Sequence, residues 1–359
     1  MRNSTQQRTY QKLDELADQL PWYVIEYIDK KKRKLSPASL LNYCHDFKIF
    51  FEWLVAEGFY AGNIQSIPLR ILEKLTAQQV EDFLTYLKFQ LQNKDITVNR
   101  KLSSLKSLFN YLQNIAETDE LEPYLNRNVM AKIEFNDVYE DPETIANRME
   151  GKILLGDEYE AFRMFVEKDY GELFKDNNRI LNFYKLNRER DTAMVSLFLG
   201  SGLRLAELAG LSLEDIDFNK CSVRVVRKGN KEQYVYFSEQ AVFDLNEYIK
   251  IRSDRYTISK QNRALFIAAP MGPKGTTRRL SARAIEKIIE KYAKAFGKPS
   301  LSVHKLRHSF ATRYHAEIND VPKLRRQLGH SSIETTMIYT HLKSEDLKNA
   351  ISKLNMPKE

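Results

Sequence analysis

Only two cysteines, Cys44 and Cys221, occur in the 359 residues. Two thiols cannot staple a chain of this size, and no C-x-x-C pair is present. A disulfide scaffold and a dithiol or zinc-knuckle centre are therefore excluded, and a reducing, cytoplasmic setting is expected. No apolar run approaches the ~20 residues of a membrane span. The longest candidate, from Thr192 to Leu203, is short and interrupted by small and polar residues. The first residues, Met1 to Gln7, are polar with no apolar core behind them, so no export signal is expected. Glycine is sparse, at 13, and none of it builds a nucleotide cradle. There is no G-x-x-x-x-G-K-[ST] loop, and Gly200-Ser201-Gly202 lacks the third glycine of a dinucleotide fingerprint. H-E-x-x-H and G-x-S-x-G are absent too. No cofactor and no metal are expected.

Hydrophobic residues make up 43% and charged residues 29%, a globular composition with too much apolar content for disorder. Lysine plus arginine exceed aspartate plus glutamate by 56 − 48, or +8. A surplus of that size points to an anionic partner only if the charge clusters.

The first third of the chain reads as helices. Ser36-Pro37 is a start signal, and Leu40, Cys44, Phe47, Phe51 and Leu54 follow at spacings of three and four. Thr76 and Gln79 form a capping box before Val80, Phe83, Leu84 and Leu87. Leu102, Leu105, Phe109 and Leu112 mark another inward stripe, from a helix beginning near Thr97. Two basic features are candidate DNA-backbone contacts: the run Lys30, Lys31, Lys32, Arg33, Lys34 at the end of a helical segment near 8–32, and the face carrying Arg100, Lys101 and Lys106. Each could equally be a solvated face. Acidic residues crowd 116–155, periodicity fades, and Pro123 and Pro142 punctuate the segment. This divides the chain into a helical domain at 1–120, a linker at 121–155 and a second domain at 156–359.

The second domain mixes helix and strand. Asp191 to Leu199 predicts a mostly apolar helix. Ser222–Arg227 and Gln233–Phe237 flank Lys228-Gly229-Asn230-Lys231-Glu232 and predict a β-hairpin, with Ala264–Ala268 as a candidate third strand. The fold class is mainly α with a small antiparallel β-sheet: an N-terminal helical bundle followed by a C-terminal α+β domain.

Five of the six histidines lie at or beyond position 304. On a helix, His304 and Arg307 share one face while Leu306 and Phe310 share the opposite one. His304 and His308, four apart, could begin a metal site, but no third ligand follows at a recognised spacing. Leu324, Leu328 and Gly329 predict a short helix closed by a glycine cap, with His330 directly after it. Ser331 and Glu334 form a capping box ahead of Tyr339.

These strings resemble the motifs of the tyrosine recombinases, or phage-integrase-like enzymes. Ser201-Gly202-Leu203-Arg204-Leu205-Ala206-Glu207 is similar to their first arginine box, and Arg227-Lys228-Gly229-Asn230-Lys231 to their lysine hairpin. His304-Lys305-Leu306-Arg307-His308 resembles the H-x-L-R-H box. Leu328-Gly329-His330 with Thr335 to His341 resembles the terminal tyrosine signature. The four pieces stand in the family's order across roughly 160–345. Ser201 and Ala206 replace a usual Thr and Ser, and both changes are small. Length and acidic connector look most like the Xer branch, in its single-recombinase type.

The resemblance implies a catalytic set of Arg204, Lys228, His304, Arg307, His330 and Tyr339, with Glu207 orienting a neighbour. It implies a site-specific DNA recombinase working through a 3′-phosphotyrosine and resolving chromosome or plasmid dimers. The partners implied are double-stranded DNA with a specific site and further copies of the chain, tetrameric on two duplexes. Contact between copies would run through a terminal helix with the stripe Leu347, Ala350, Ile351 and Leu354. A DNA translocase of the cell-division machinery is a further possible partner, and the setting implied is cytoplasmic and nucleoid-associated, with no membrane. The alternatives are a type IB topoisomerase-like enzyme and a non-catalytic DNA-binding regulator on the same scaffold.

Overall fold

A computed structural model describes residues 2–138, 142–149, 151–227, 231–256, 262–269, 277–329 and 336. The chain divides into two compact units, Met1–Tyr139 and Glu140–Glu359.

The first unit is helical: α1 (Arg2–Ala17), α2 (Trp22–Lys31), α3 (Pro37–Ala56), α4 (Leu69–Lys74), α5 (Ala77–Thr85) and α6 (Asp95–Asn114). The predicted single segment near 8–32 is two helices, because Leu20-Pro21 interrupts it and Pro21 caps α2. Ser36 caps α3 by accepting from the Ser39 N–H, and the Thr76–Gln79 box is formed in both directions. Each expected apolar stripe is buried, from Leu40 and Phe47 on α3 to Leu105 and Leu112 on α6. The acidic segment behaves differently from a linker over its first half. Ala116, Leu125, Val129, Met130 and Ile133 are buried in this core, and Leu125 donates its N–H to the Leu112 carbonyl. Its charges are spaced so that apolar side chains between them still face inward.

The second unit comprises α7 (Pro142–Met149), α8 (Glu158–Met164), α9 (Tyr170–Leu173), α10 (Asn178–Ser201), α11 (Leu205–Gly210), β1 (Ile216–Asp217), β2 (Ser222–Arg227), β3 (Lys231–Tyr236), α12 (Glu239–Arg255), β4 (Ile267–Ala268), β5 (Arg278–Arg279), α13 (Ala282–Ala295), α14 (Val303–Ile318) and α15 (Val321–Leu328). The predicted hairpin is β2–β3, antiparallel, with its last described pair Arg227↔Lys231. Its third strand is β1 rather than Ala264–Ala268; β4 pairs instead with β5 in a separate two-stranded sheet. Helix α10 begins well before Asp191. Its early turns are polar outside but bury Tyr184, Asn187 and Arg190, so the apolar run seen in sequence is only its second half. That half is buried on nearly every side and forms the spine of the core with α12 and α14. Among the described residues, no helix is long and apolar enough to cross a membrane.

Candidate active site

Two helices end close together, and both ends need glycine. Helix α10 ends at Gly202 with φ +68°, and α15 ends at Gly329 with φ +63°. These are left-handed caps, whose own N–H groups return to Phe198 on α10 and to Arg325 and Arg326 on α15, while the carbonyls beyond lack an intrahelical donor. In this protein, side chains supply the partners. The four successive carbonyls at the end of α15 each accept from a different residue. Arg326 accepts from Gln233 Nε2 at 2.5 Å, Gln327 from Arg227 Nη2 at 3.1 Å, Leu328 from Arg307 Nη2 at 2.7 Å, and Gly329 from Arg204 Nη2 at 3.0 Å. The Gly202 carbonyl accepts from Arg307 Nη1 at 2.5 Å. Three guanidiniums therefore gather at helix C-termini, where the partial negative charge of the peptide dipoles favours them.

Arg204 caps the short helix α11, and its backbone N–H reaches Glu207 Oε2 at 2.9 Å. Its guanidinium also bonds Glu207, at 2.9 Å, and stays 41% exposed. That exposure leaves a face open to an anion from solvent. Arg307 is buried on α14, where Leu306 and Phe310 anchor the helix from behind, as the spacing predicts.

Glu207 is 7% exposed and carries two cations: Arg204, and Arg227 Nε at 3.0 Å. Burial alone would raise its carboxyl pKa. The Arg204 N–H and the charges of Arg227 and Arg204 outweigh that and hold it below the usual range. His304 stands exposed at the start of α14, with its Nε2 2.8 Å from that of His308. One ring must be neutral to accept that bond. Partial desolvation first, then Lys305, Arg307 and Arg204, push the His304 pKa down from 6.5.

The structure thus brings Arg204, Glu207, His304 and Arg307 into one region of the second unit. Lys228, His330 and Tyr339, the Ser331–Glu334 capping box and the terminal stripe from Leu347 to Leu354 lie outside the described residues. Of the basic candidates in the first unit, Lys30, Arg33 and Lys34 are exposed. Lys32 pairs with Asp29 at 2.8 Å and Asp14 at 3.2 Å, and Lys31 lies over the Tyr27 ring. On the other face Lys101 is buried, while Arg100 stays 47% exposed. Arg100 and Lys101 both bind the buried Asp46 carboxylate, and Lys106 donates to the carbonyls of Met130 and Ile133. The cations of 100–106 thus serve a buried carboxylate and two backbone carbonyls within the first unit.

Sequence reasoning overlooked Arg227. The signal was present: Val223, Val225 and Arg227 share one face of β2, the inward one, where a cation requires a partner.

Residues 173–346 match the phage integrase family, and residues 25–114 match the phage integrase N-terminal SAM-like domain. The chain is 36% identical to tyrosine recombinase XerS of Streptococcus gordonii over 96% of this chain and 98% of that protein. It is likewise 36% identical to XerS of Streptococcus mutans over the same shares. Among solved structures, the fold is similar to XerH site-specific recombinase bound to its palindromic difH substrate, with TM-score 0.64 and 21% identity over 91% of this chain and 83% of that one. It is also similar to a lambda integrase dimer bound to a core site, with TM-score 0.57 and 15% identity over 90% and 95%.

Proposed function

This chain belongs to the phage integrase family of tyrosine recombinases and is a site-specific recombinase; from that premise, we propose how its own residues divide the work. A phosphodiester is an anion that repels a nucleophile, so its transfer depends on positioning and charge neutralisation. Arg204 and Arg307 take the scissile phosphate, each able to donate paired hydrogen bonds. The observation that carries this reading is their convergence, from 103 positions apart in sequence, on adjacent carbonyls of one helix end. Loss of either should slow cleavage by about 10²–10³-fold, as for a lost oxyanion donor.

Tyr339 is the proposed nucleophile. Its phenol, with an ordinary pKa near 10, passes its proton to solvent as its oxygen bonds phosphorus and the bond from phosphorus to the 5′-oxygen breaks. One phosphoester replaces another, so no nucleotide is consumed. Lys228 gives the departing 5′-oxygen its proton; cations nearby lower a lysine's pKa and make it a better acid near neutrality. His304 and His330 donate to phosphate oxygens. Glu207 holds Arg204 in place and is not a base, since its own carboxylate is doubly paired.

The DNA partner is a duplex with a specific site, and the working form is a tetramer on two duplexes, joined through the terminal stripe Leu347–Leu354. Lys30, Arg33 and Lys34 meet the DNA backbone. The biological outcome we propose is resolution of chromosome or plasmid dimers in the cytoplasm, at division, with a DNA translocase as regulator.

Covalent capture tests the chemistry. Nicked genomic fragments are incubated with the protein, and those that survive denaturant as protein adducts are sequenced, which yields the site. Tyr339→Phe should form no adduct on a captured duplex. An undiminished adduct would remove Tyr339 from its role.

A further inference from the structure

The Arg227 side chain bonds three separate residues. Its Nε donates to Glu207 at 3.0 Å, its Nη1 to Gln233 at 2.6 Å and its Nη2 to the Gln327 carbonyl at 3.1 Å. Its side chain is only 10% exposed. The guanidinium also lies directly against Gly329: a Cβ there would stand 1.5 Å from Nη1 and 2.4 Å from Cζ. So this residue contacts the acid beside Arg204, the opposite strand of its own hairpin and the last turn of α15.

Its place in the chain gives that anchorage a consequence. Arg227 is the last described ladder residue of β2. A two-stranded hairpin is marginally stable by itself. Here β1 supports only the far end, opposite Ser222 and Val223. At the near end, the stems are tied to the core by Arg227 on β2 and by Gln233 on β3. Arg204 does not depend on Arg227 in the same way. It keeps its own two bonds to Glu207 and a third to Gly329.

We infer that Arg227 is a positioning residue that fixes the hairpin against the helix end holding the arginines, and so delivers the hairpin's proton donor to the leaving oxygen. The inference rests on the proposed role of the hairpin as the source of that proton. With its donors taken by Glu207, Gln233 and Gln327, the residue is assigned no part in binding DNA or the reacting atoms. It acts in the step in which the tyrosyl oxygen bonds phosphorus, the P–O5′ bond breaks and a proton passes to O5′.

The test uses the full chain and two captured duplexes, alike except that sulfur replaces the bridging 5′-oxygen at the mapped cleavage position. A thiolate leaves without needing a proton, because a thiol has a pKa near 8.5. Arg227→Met should cleave the oxygen duplex on the order of 10²-fold more slowly, the usual effect of a small misplacement. On the sulfur duplex it should return to within about tenfold of wild type, because a proton-transfer defect of ~10²–10⁴ no longer applies. DNA affinity should be unchanged. Arg204→Ala should stay slow on both duplexes. Equal slowing of Arg227→Met on both duplexes, or wild-type cleavage of both, would overturn the inference. Lys228→Ala is the separate control: if sulfur fails to rescue it, the assignment of Lys228 falls, while the Arg227 arm is still read against wild type. Arg227→Lys keeps a cation facing Glu207 but lacks the fork that spans three partners. If the methionine variant melts early, the lysine variant gives the same readout in a folded protein.

Discussion

Three glycines separate backbone strain from close packing and so measure how firmly Arg227 is wedged. Gly210 ends α11 with an ordinary φ, and nothing lies within 4 Å of an added Cβ. Gly297 has φ +89° but is equally open. Gly329 has φ +63° and the Arg227 guanidinium 1.5 Å from the added carbon. Alanine at 210 should be neutral or stabilise by about 0.5–1 kcal/mol, since it restricts the unfolded chain. Alanine at 297 meets only the left-handed penalty, about 1–2 kcal/mol. Alanine at 329 meets that penalty and must also expel Arg227, whose charge-assisted bond to Glu207 alone contributes about 1.5–3 kcal/mol. The total is roughly 3–4 kcal/mol, or about 10²-fold or more in an opening equilibrium. Both tryptophans, Trp22 and Trp53, lie in the first unit, so their fluorescence does not report on this one. Amide hydrogen exchange of peptides from α10 and α14 does. Arg227→Ala should empty the space and reduce the cost of Gly329→Ala to the backbone part, a non-additivity of about 1.5–3 kcal/mol. Equal protection loss for the 297 and 329 variants, or strict additivity with Arg227→Ala, would refute the wedge.

The other expectations concern charge. His304 has its pKa held below 6.5 in the folded chain, so the unfolded chain binds more protons in the window between the folded value and 6.5. Stability should therefore rise with pH through that window and fall as the pH drops through the folded value; His304→Asn should flatten that part of the profile, and NMR titration should place the ring below 6.5. Alanine at Lys30, Arg33 and Lys34 should reduce the salt slope of DNA binding by about 0.9 for each phosphate no longer neutralised, whereas Lys101→Met should leave the slope alone and weaken the first unit, because Lys101 is bound to buried Asp46. Arg307→Lys keeps the charge but cannot span the Gly202 and Leu328 carbonyls, so denaturant unfolding should lose about 1.5–3 kcal/mol and adduct formation should slow by about 10²–10³-fold.

Much of this was legible in the sequence. Apolar spacing found the inward faces of α3, α5 and α6, the Ser36 and Thr76 caps were written in local residues, and the β2–β3 hairpin followed from alternation around Gly229-Asn230. Local signals carry helices, caps and hairpins because the partners lie a few residues apart. The readings that changed all involved distant partners. Arg100 and Lys101 read as candidate DNA-backbone contacts or a solvated face, with no mark of the acid they pair with, Asp46, which is 54 and 55 residues away on α3. The third strand of the small sheet was sought at Ala264, when a two-residue strand at Ile216 was too short to leave a pattern. The convergence on the end of α15 had no sequence mark, because the acceptors are backbone carbonyls and every residue has one.

That choice of acceptor bears on how such a site works. Carboxylates opposite Arg204, Arg227 and Arg307 would each bring a full negative charge toward the proposed phosphate site. Among the described residues, Arg204 and Arg227 share one carboxylate, Glu207, and all three arginines also donate to neutral carbonyls at the two helix ends. Carbonyl dipoles fix a guanidinium's direction and satisfy its N–H groups, yet leave its net charge intact. Desolvation first, and then the positive charges of Lys305, Arg307 and Arg204, hold the pKa of nearby His304 down. On the proposed assignment, the arginines are oriented before DNA arrives, with little reorganisation left for the reaction itself, and oriented charge of this kind is where enzymes gain most against an anionic transition state. The same bonds make the arginines part of the fold: α10 and α15 are closed by the groups they present. A substitution at Arg307 therefore changes stability and rate together, and the two can be separated only by reading both from the same variant.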